Sequence, residues 1–444
     1  MVESTAPTPS AQMPSDEEIN NMSLKEAWHN KKLVKNEVIA GTTGFLAIMY
    51  VIFVNPQIVS ATGIPTELET FATIFASAFG CILGGLLSNT PMIIVPGMGI
   101  NALFSYTIAQ GMHFSWQNTL AVSLVSSLLY AALTFTPLID KIADAINDSM
   151  KNAISVGIGL FLTFTALKGV GFIVSDKANF ITFGNLRSPV LLLTLLGILL
   201  TMFFQIKGKT WGMIASMAIV TIIALLTGNA GSGHAVAYND LSNFGTLIFH
   251  QSFVVPSWIK FAIATFSMLM LMIFEGVGVT KGYVAPKKVK KTLQATGIAN
   301  IFASLIGSSP SVDAAETGSA LAAGAKTGIS AIVTGLWFVA SLVLIPVIGY
   351  VPSCATASII ILTGALMMMD VKGIDSKDFA NWFPAFLIIF TIPFTGSIST
   401  GMAMGFIAYP IAKICAGKAK ELNAVNVIIA LLFTASLAVT AFAA

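Results

Sequence analysis

Three carboxylate side chains lie in stretches of this sequence that are otherwise almost free of charge. Glu275 follows the run Met-Leu-Met-Leu-Met-Ile-Phe, and Asp313 and Glu316 share a segment rich in Ser, Gly and Ala. Asp313 precedes Glu316 by three residues, so the two share a helical face if the helix has begun there. An ionisable side chain at the centre of a membrane helix costs about 2.5–3.5 kcal/mol, so it persists where it pairs, faces water or has a function. Because burial disfavours the charged carboxylate, such a residue can exchange a proton or donate a hydrogen bond. All three are predicted to couple protons, and Glu275 and Glu316 also to bind a polar substrate; a helix–helix hydrogen bond is the alternative for Glu275.

A fourth candidate, Asn101, follows the sequence Pro-Gly-Met-Gly-Ile. Its amide carries both donors and an acceptor and can bind the edge of a heterocycle, or it can cap backbone groups that a broken helix leaves free. Gly99 and Thr317 lie where helices are predicted to begin, and free backbone N–H groups at a helix start favour a polar ligand. Asn101, Gly99 and Thr317 therefore join Glu275 and Glu316 as predicted substrate-binding residues.

Two interrupted segments position these residues. The first covers residues 88–101 and the second residues 307–319, and their prolines, Pro91 and Pro310, are 219 positions apart. Proline removes a backbone donor and disfavours helix just before it, so each segment is predicted to be an extended piece leading into a half-helix. Irregular backbone at membrane depth occurs where it is buried in protein or lines a cavity. Matched interruptions in two halves indicate a transporter's binding site, although tight packing of kinked helices is the alternative.

The composition identifies the solvent of the protein. The 444 residues are 55% hydrophobic and only 10% charged, against about 25% charged residues in a soluble domain. A soluble protein and a disordered one are both excluded, and the predicted partner is the lipid bilayer. The net charge of +3 is too small to argue for nucleic acid, and three cysteines give no disulfide framework.

Catalytic signatures are missing from the sequence. The four histidines are scattered without metal-ligand spacing, and no Gly-rich phosphate loop with Lys-Ser/Thr occurs. We therefore expect neither an enzyme nor a metal site, and no cofactor beyond a proton as the coupling ion.

Charge-free runs predict an all-α membrane protein with about fourteen transmembrane segments, since one crossing takes about 20 residues. The predicted crossings lie near 38–56, 68–87, 91–110, 117–136, 152–174, 188–206, 211–228, 258–281, 293–307, 310–326, 328–349, 354–370, 380–396 and 399–415. A last apolar stretch, 424–442, is either a further span or a helix on the membrane surface. Seven segments in each half make the second repeat enter from the opposite side, which predicts two inverted repeats.

Lysines set the orientation. They cluster before the first crossing, at Lys31, Lys32 and Lys35, and again in the loop 286–291 after eight crossings. Because lysines near the membrane ends of short loops stay in the cytoplasm, the N-terminus is predicted to lie on the cytoplasmic side of the cell membrane. The chain then divides into a cytoplasmic tail (1–36, unstructured to about residue 16 and with a short amphipathic helix near 24–34), a first repeat (37–228), an external loop (229–256), a second repeat (257–416) and a C-terminal apolar segment (417–444).

Several stretches resemble the nucleobase–cation symporters, in their branch of adenine, guanine and hypoxanthine permeases. The resemblance runs from about residue 37 to residue 416. It is carried by Glu37-Val-Ile-Ala-Gly-Thr-Thr, Tyr50-Val-Ile-Phe-Val-Asn-Pro, Pro96-Gly-Met-Gly-Ile-Asn-Ala-Leu-Phe, Ile154-Ser-Val-Gly-Ile-Gly-Leu-Phe, Gly307-Ser-Ser-Pro with Glu316, and Lys326-Thr-Gly-Ile.

The resemblance implies a core domain and a gate domain, with the extended pieces of segments three and ten meeting at mid-membrane. It also implies proton-coupled uptake of purine bases by alternating access, with Asn101, Glu275 and Glu316 around substrate and proton. The sequence departs from the family in segment eight, where Met272 replaces a carboxylate, and in segment ten, where Asp313 replaces a threonine. We hypothesise that Asp313 compensates for the carboxylate lost at Met272.

Other functions stay open at this level. The same fold could carry xanthine, uracil or another small polar solute, sodium could replace the proton, and a channel is a further possibility that paired buried carboxylates disfavour. An anion carrier should place a fixed cation near the half-helices, and none occurs there. The sequence leaves a homodimer undecided.

Overall fold

The computed structural model describes residues 15–176, 180–229 and 240–442. These residues are mostly helical. The helices are α1 Asp16–Asn21, α2 Leu24–His29, α3 Lys31–Ile48, α4 Val51–Val59, α5 Thr66–Ser88, α6 Met98–Ala102, α7 Trp116–Thr134, α8 Leu138–Ala145, α9 Asp148–Gly169, α10 Pro189–Ile206, α11 Gly212–Leu226, α12 Asp240–Asn243, α13 Trp258–Tyr283, α14 Pro286–Leu305, α15 Thr317–Ala322, α16 Gly328–Ala340, α17 Ile345–Ile348, α18 Ser353–Met367, α19 Phe379–Thr395, α20 Ile398–Cys415 and α21 Ala424–Phe442. The strands are β1 Ile94–Pro96, β2 Ile173–Asp176, β3 Phe180–Phe183 and β4 Ser311–Asp313.

The predicted crossings correspond to these elements. Within the described residues, eight helical stretches are long and apolar enough to cross a membrane, and α7 with α8 forms a further pair bent by 102°. The remaining crossings are the shorter helices α11 and α19, the two broken segments, and α14, which has 20 residues but carries four lysines in its first turns. The first crossing is α3 continued by α4 and a 3-10 turn to Thr62, longer than predicted. The arrangement is that of a multi-pass membrane protein.

The two broken segments meet through their strands. β1 pairs antiparallel with β4, with Ile94 opposite Asp313 and Pro96 opposite Ser311. Each strand leads toward a half-helix: β1 into α6 and the π-helix Leu103–Gly111, and β4 into α15. The strand pair satisfies backbone groups that lipid could not. The predicted extended pieces in segments three and ten are confirmed.

Close packing of α5 on β1 depends on a glycine. A Cβ atom at Gly80 would lie 2.7 Å from the carbonyl oxygen of Ile94, which is nearer than side-chain carbons approach backbone. All residues of both strands are buried. The strand pair is therefore an internal feature of the helical bundle.

The structure corrects the sequence analysis in three places. The crossing predicted to reach residue 174 ends at Gly169, and β2 and β3 form a hairpin that an all-α prediction did not include. The amphipathic helix predicted near 24–34 is two helices, because Asn30 ends α2 and caps α3 through its side chain. The shared helical face predicted for Asp313 and Glu316 does not form, since Asp313 lies in β4 and the helix begins only at Thr317.

Two predicted regions are only partly described. The unstructured tail falls almost wholly outside the described residues, as does the middle of the loop 229–256. The C-terminal segment forms α21, and its buried Phe433 stacks on Phe406 of α20 with ring centroids 5.4 Å apart. Whether α21 spans the membrane stays a prediction.

Candidate functional site

Glu275 faces the start of the first half-helix. It extends from the middle of α13 toward Gly97 and Gly99, which precede and begin the helical run of α6. A Cβ at Gly99 would overlap the Oε1 atom of Glu275, and a Cβ at Gly97 would lie 3.3 Å from Oε2. The two glycines therefore make the space in which this carboxylate approaches the backbone of the half-helix.

One oxygen of this carboxylate has no partner. Within the described part of the chain, Oε1 of Glu275 is buried and accepts no hydrogen bond. An unsatisfied buried acceptor costs about 1–3 kcal/mol, more for a charged group, so natural structures rarely retain one without a reason. A substrate N–H group is a suitable donor for this oxygen.

Glu316 lies at the start of the second half-helix and is oriented by a tyrosine. Tyr50 lies between α3 and α4, and Glu316 directly precedes α15. The Tyr50 hydroxyl donates a hydrogen bond of 2.6 Å to Oε1 of Glu316. Tyr283 donates to the carbonyl oxygen of Ala315 at 3.1 Å. Glu275 thus lies against the start of α6, and Glu316 is the residue before α15, so the strand pair brings the two half-helices and these two acids into one region.

Asp313 has a different environment from the two glutamates. It is buried, and its carboxylate accepts hydrogen bonds from Thr280 of α13 and from Thr296 of α14, the latter at 2.7 Å. The two threonines hold both carboxylate oxygens, so β4 is tied to α13 and α14. Its predicted roles in proton coupling and in compensating for Met272 stay predictions; the residue that it bonds, Thr280, lies on the same helix as Met272.

Asn101 and Thr317 make contacts within the broken segments. The Asn101 amide donates to Oδ1 of Asn55 and accepts from the Ser309 hydroxyl at 2.5 Å. Thr317 accepts a hydrogen bond from the backbone N–H of Ile93 at 3.1 Å. Both side chains are buried, and their predicted contacts with a substrate stay predictions. Of the predicted residues, Gly99 lies against Glu275, and Asn101 turns toward α4.

Sequence reasoning missed a polar group around Asn55, Glu69 and Ser308. Glu69 is buried in α5 and accepts hydrogen bonds from both Asn55 and Ser308. The signal was present, because Glu69 lies inside the predicted crossing 68–87, yet the charge-free run that drew attention begins two residues later, at Phe71. Tyr50 was also missed, although its motif was recognised.

Comparison with known proteins identifies relatives over most of the chain. Residues 35–404 match the family described as Permease family. A nucleobase transporter of Paenibacillus larvae is 37% identical over 84% of this chain and 76% of its own length. A guanine/hypoxanthine permease of Bacillus subtilis is 32% identical over 90% of this chain and 96% of its own, and an adenine permease of Escherichia coli is 31% identical over 90% and 92%.

Solved structures confirm the fold. The transmembrane domain of the cyanobacterial bicarbonate transporter BicA superposes with a TM-score of 0.62 at 15% identity, covering 84% of this chain and 97% of that one. The mouse anion transporter Slc26a9 gives 0.61 at 14% identity, covering 86% and 68%. At these identities the likeness concerns the fold alone, and it bears out the predicted two inverted repeats of seven segments.

Proposed function

The chain belongs to the Permease family, and we propose that it is a nucleobase transporter that imports purine bases together with protons. The substrates proposed are hypoxanthine, guanine and adenine, after the names of the relatives. Alternating access of a site between the two half-helices would carry the base across the membrane. A proton is the proposed coupling ion, and no other cofactor is required.

The observation that carries this proposal is the unpartnered oxygen of Glu275 at the start of a half-helix. A purine base presents ring N–H donors beside ring-nitrogen or exocyclic acceptors on one flat edge. A carboxylate can accept from the ring N–H groups, while free backbone N–H groups at a helix start can donate to the acceptors. Glu275 with the start of α6 supplies both kinds of partner, and Glu316 at the start of α15 supplies a second carboxylate.

The same geometry disfavours an anionic substrate. The positive ends of two half-helix dipoles would attract an anion. Here, however, the Glu275 carboxylate already lies against the start of α6, and Glu316 is the residue immediately before α15. A second negative charge would be repelled, whereas a neutral base would not. Similarity of fold to anion transporters therefore does not extend to this site.

We further propose that the protein lies in the cell membrane with a cytoplasmic N-terminus. The lysines in the first turns of α14, where the loop 286–291 was predicted, and those at the start of α3 support this orientation. Residues Asn101, Gly99, Glu275, Glu316 and Thr317 form the proposed substrate site, and Glu275, Glu316 and Asp313 the proposed proton-coupling group. A homodimer stays a prediction.

Uptake by proteoliposomes tests the function. Labelled hypoxanthine, guanine, adenine, xanthine and uracil are supplied with an imposed proton gradient, with a sodium gradient, and with a protonophore. We expect purine uptake that follows the proton gradient and collapses with the protonophore. Uptake that persists without a proton gradient would contradict proton symport. Uptake of uracil or xanthine alone would contradict hypoxanthine, guanine and adenine as the substrates.

A variant tests the assignment of the site. Glu316→Gln should abolish uptake while the protein still reaches the membrane, because the neutral amide can neither exchange a proton nor accept as a carboxylate does. Asp148→Asn is the matched control, since that carboxylate is exposed at the start of α9 and pairs only with Lys151 among the described residues. Full uptake by Glu316→Gln would contradict the assignment.

A further inference from the structure

Glu69 is a buried carboxylate for which the proposed transport cycle has no role so far. It lies in the first turn of α5 and is fully shielded from solvent. Its Oε1 atom accepts hydrogen bonds from Asn55 Nδ2 at 3.1 Å, Thr73 Oγ1 at 3.3 Å and Ser308 Oγ at 2.9 Å. Its Oε2 atom is buried without a partner, and no ion pair among the described residues includes Glu69. All of its donors are neutral.

A chain of hydrogen bonds connects Glu69 to the first half-helix. Asn55 donates through Nδ2 to Glu69, and Asn101 donates through Nδ2 to Oδ1 of Asn55. Ser309 in turn donates to Oδ1 of Asn101 at 2.5 Å. Asn55 Nδ2 also donates to the Thr73 hydroxyl at 2.7 Å, but a hydroxyl can donate as well as accept and so fixes no direction. Each amide has one donor end and one acceptor end, so the acceptor at Glu69 determines the direction of both. We refer to Asn55 and Asn101 together as the amide relay.

We propose that Glu69 binds a proton and that its protonation state sets the direction of the amide relay. A proton taken from water adds to a carboxylate oxygen, and the resulting O–H group donates to Oδ1 of Asn55. Asn55 then donates through Nδ2 to Oδ1 of Asn101, whose own Nδ2 turns to the Ser309 hydroxyl. Both directions keep every amide hydrogen-bonded, so the relay has two satisfied arrangements.

Two features of the surroundings of Glu69 have opposite effects on its charge. The start of helix α5 favours the carboxylate, and a dry site without a cation favours the neutral acid. The elements that pack on α5 include α4, α14, α16, α12, β1, β4 and the 3-10 turns Phe244–Thr246 and Ser341–Leu344. Their titratable groups are Asp240 at the start of α12, Asp313, and Lys287, Lys288, Lys290 and Lys291 of α14; α5 itself adds Glu67 and Cys81.

Neither the lysines nor Asp313 pairs with Glu69. Lys288 donates to the carbonyl oxygen of Asn89, beyond the far end of α5, and the other three lysines belong to the same end of α14. The Asp313 carboxylate is held by Thr280 and Thr296. Within the described part of the chain, the hydrogen bonds that Glu69 accepts come from Asn55, Thr73 and Ser308.

The consequence for transport follows from the position of Asn101. It lies in α6, two residues after Gly99, against which Glu275 is placed. A reversal of the amide relay changes the hydrogen bonding of the same half-helix that the proposed substrate site uses. Glu69 is therefore a positioning residue that makes the affinity for the base depend on pH, and this last step rests on the proposed function.

Infrared difference spectra of the full chain in lipid test the proton site without any substrate. A change of pH should alter a carboxyl C=O band, and Glu69→Gln should remove that component. Glu67→Gln is the control, since Glu67 lies in the same turn of α5 and its substitution should leave the band in place. A spectrum unchanged by Glu69→Gln would overturn the proposal.

A second variant keeps the test decisive if Glu69→Gln does not fold. Ser308→Ala removes one donor from the carboxylate, so the midpoint of the band should move toward alkaline pH. An unmoved midpoint would contradict the hydrogen bonding on which the proposal rests.

Binding of labelled hypoxanthine to the purified protein tests the coupling. The ratio of its Kd values on either side of neutral pH should change by about fivefold or more in Glu69→Gln, the lower range of coupling between sites. An unchanged ratio would overturn the positioning role. Absence of any base binding by the wild-type protein would instead contradict the proposed function, while the infrared result would still decide the proton site.

Discussion

The two broken segments share a backbone design but differ in the source of their carboxylates. The first has no acid of its own, and its half-helix α6 receives the carboxylate of Glu275 from α13 through the space left by Gly97 and Gly99. The second contains its own acids, Asp313 in its strand and Glu316 at the start of its half-helix. An approximate symmetry of backbone therefore carries an asymmetric set of charges.

The asymmetry extends to the partners of these acids. Glu316 is oriented by Tyr50, and Asp313 is held by Thr280 and Thr296. Glu275 keeps one buried oxygen that accepts no hydrogen bond from any residue that the structure describes. Functional groups whose orientation is fixed by neighbours are pre-organised, whereas an acceptor without a partner is available for a hydrogen bond from a ligand. The comparison suggests that Glu275 accepts directly from the base and that the second segment supplies fixed geometry.

The largest expected effect on affinity comes from Glu275→Gln. The change replaces the open carboxylate by an amide that accepts more weakly, and hydrogen bonds to charged groups contribute about 1.5–3 kcal/mol. We expect hypoxanthine affinity to fall by about 10- to 100-fold, measured as Kd on purified protein. Asp148→Asn should leave Kd unchanged, and an equal Kd for Glu275→Gln and the wild type would end the distinction between the two segments.

A smaller loss is expected for Gly99→Ala. The added Cβ would overlap Oε1 of Glu275 and lie 3.0 Å from Ile158, so the carboxylate has to move away from the half-helix. Binding should weaken by about tenfold, corresponding to about 1.4 kcal/mol. Gly282→Ala in α13 meets open space and serves as the control. Normal binding by Gly99→Ala would show that Glu275 need not approach α6.

Tyr50→Phe tests the orientation of Glu316. The substitution removes the hydroxyl that donates to Glu316 at 2.6 Å and retains the ring. A net hydrogen bond contributes about 1 kcal/mol, so the KM for hypoxanthine uptake should rise by about fivefold. If KM and its pH profile both stayed as in the wild type, Glu316 would not depend on Tyr50.

The smallest effect on affinity is expected for Asp313→Asn. Thr280 and Thr296 can still bond an amide at this position, so Kd for hypoxanthine should change by no more than about twofold. The pH dependence of uptake should nevertheless change, because an amide cannot exchange a proton. Unaltered uptake with an unaltered pH profile would exclude Asp313 from proton coupling and from compensating for Met272.

Much of the fold could be predicted because lipid restricts where charge and irregular backbone occur. Runs without charged residues gave the crossings, and Pro91 and Pro310 located the two broken segments. The hairpin of β2 and β3 was missed because residues 170–183 follow an apolar helix and are themselves largely apolar. Hydropathy alone does not distinguish a short strand from the end of a membrane helix.

The site was harder to predict than the fold. Glu275 and Glu316 could be proposed because isolated acids stand out in apolar sequence, and their roles stay predictions. Their contacts with Tyr50 and with Gly97 and Gly99 were not predicted, since these residues come from segments more than a hundred residues away in sequence. The strand conformation of Asp313 depends on pairing with β1, a tertiary contact that local sequence does not contain.

Proton entry driven by the base is the most direct test of the account. Proteoliposomes containing a fluorescent pH indicator are given hypoxanthine without any imposed gradient, and internal pH is followed for the wild type and for Glu275→Gln. We predict internal acidification that accompanies hypoxanthine uptake in the wild type and is absent in Glu275→Gln. Hypoxanthine uptake by the wild type without acidification, or an undiminished signal in Glu275→Gln, would contradict proton-coupled transport through this site.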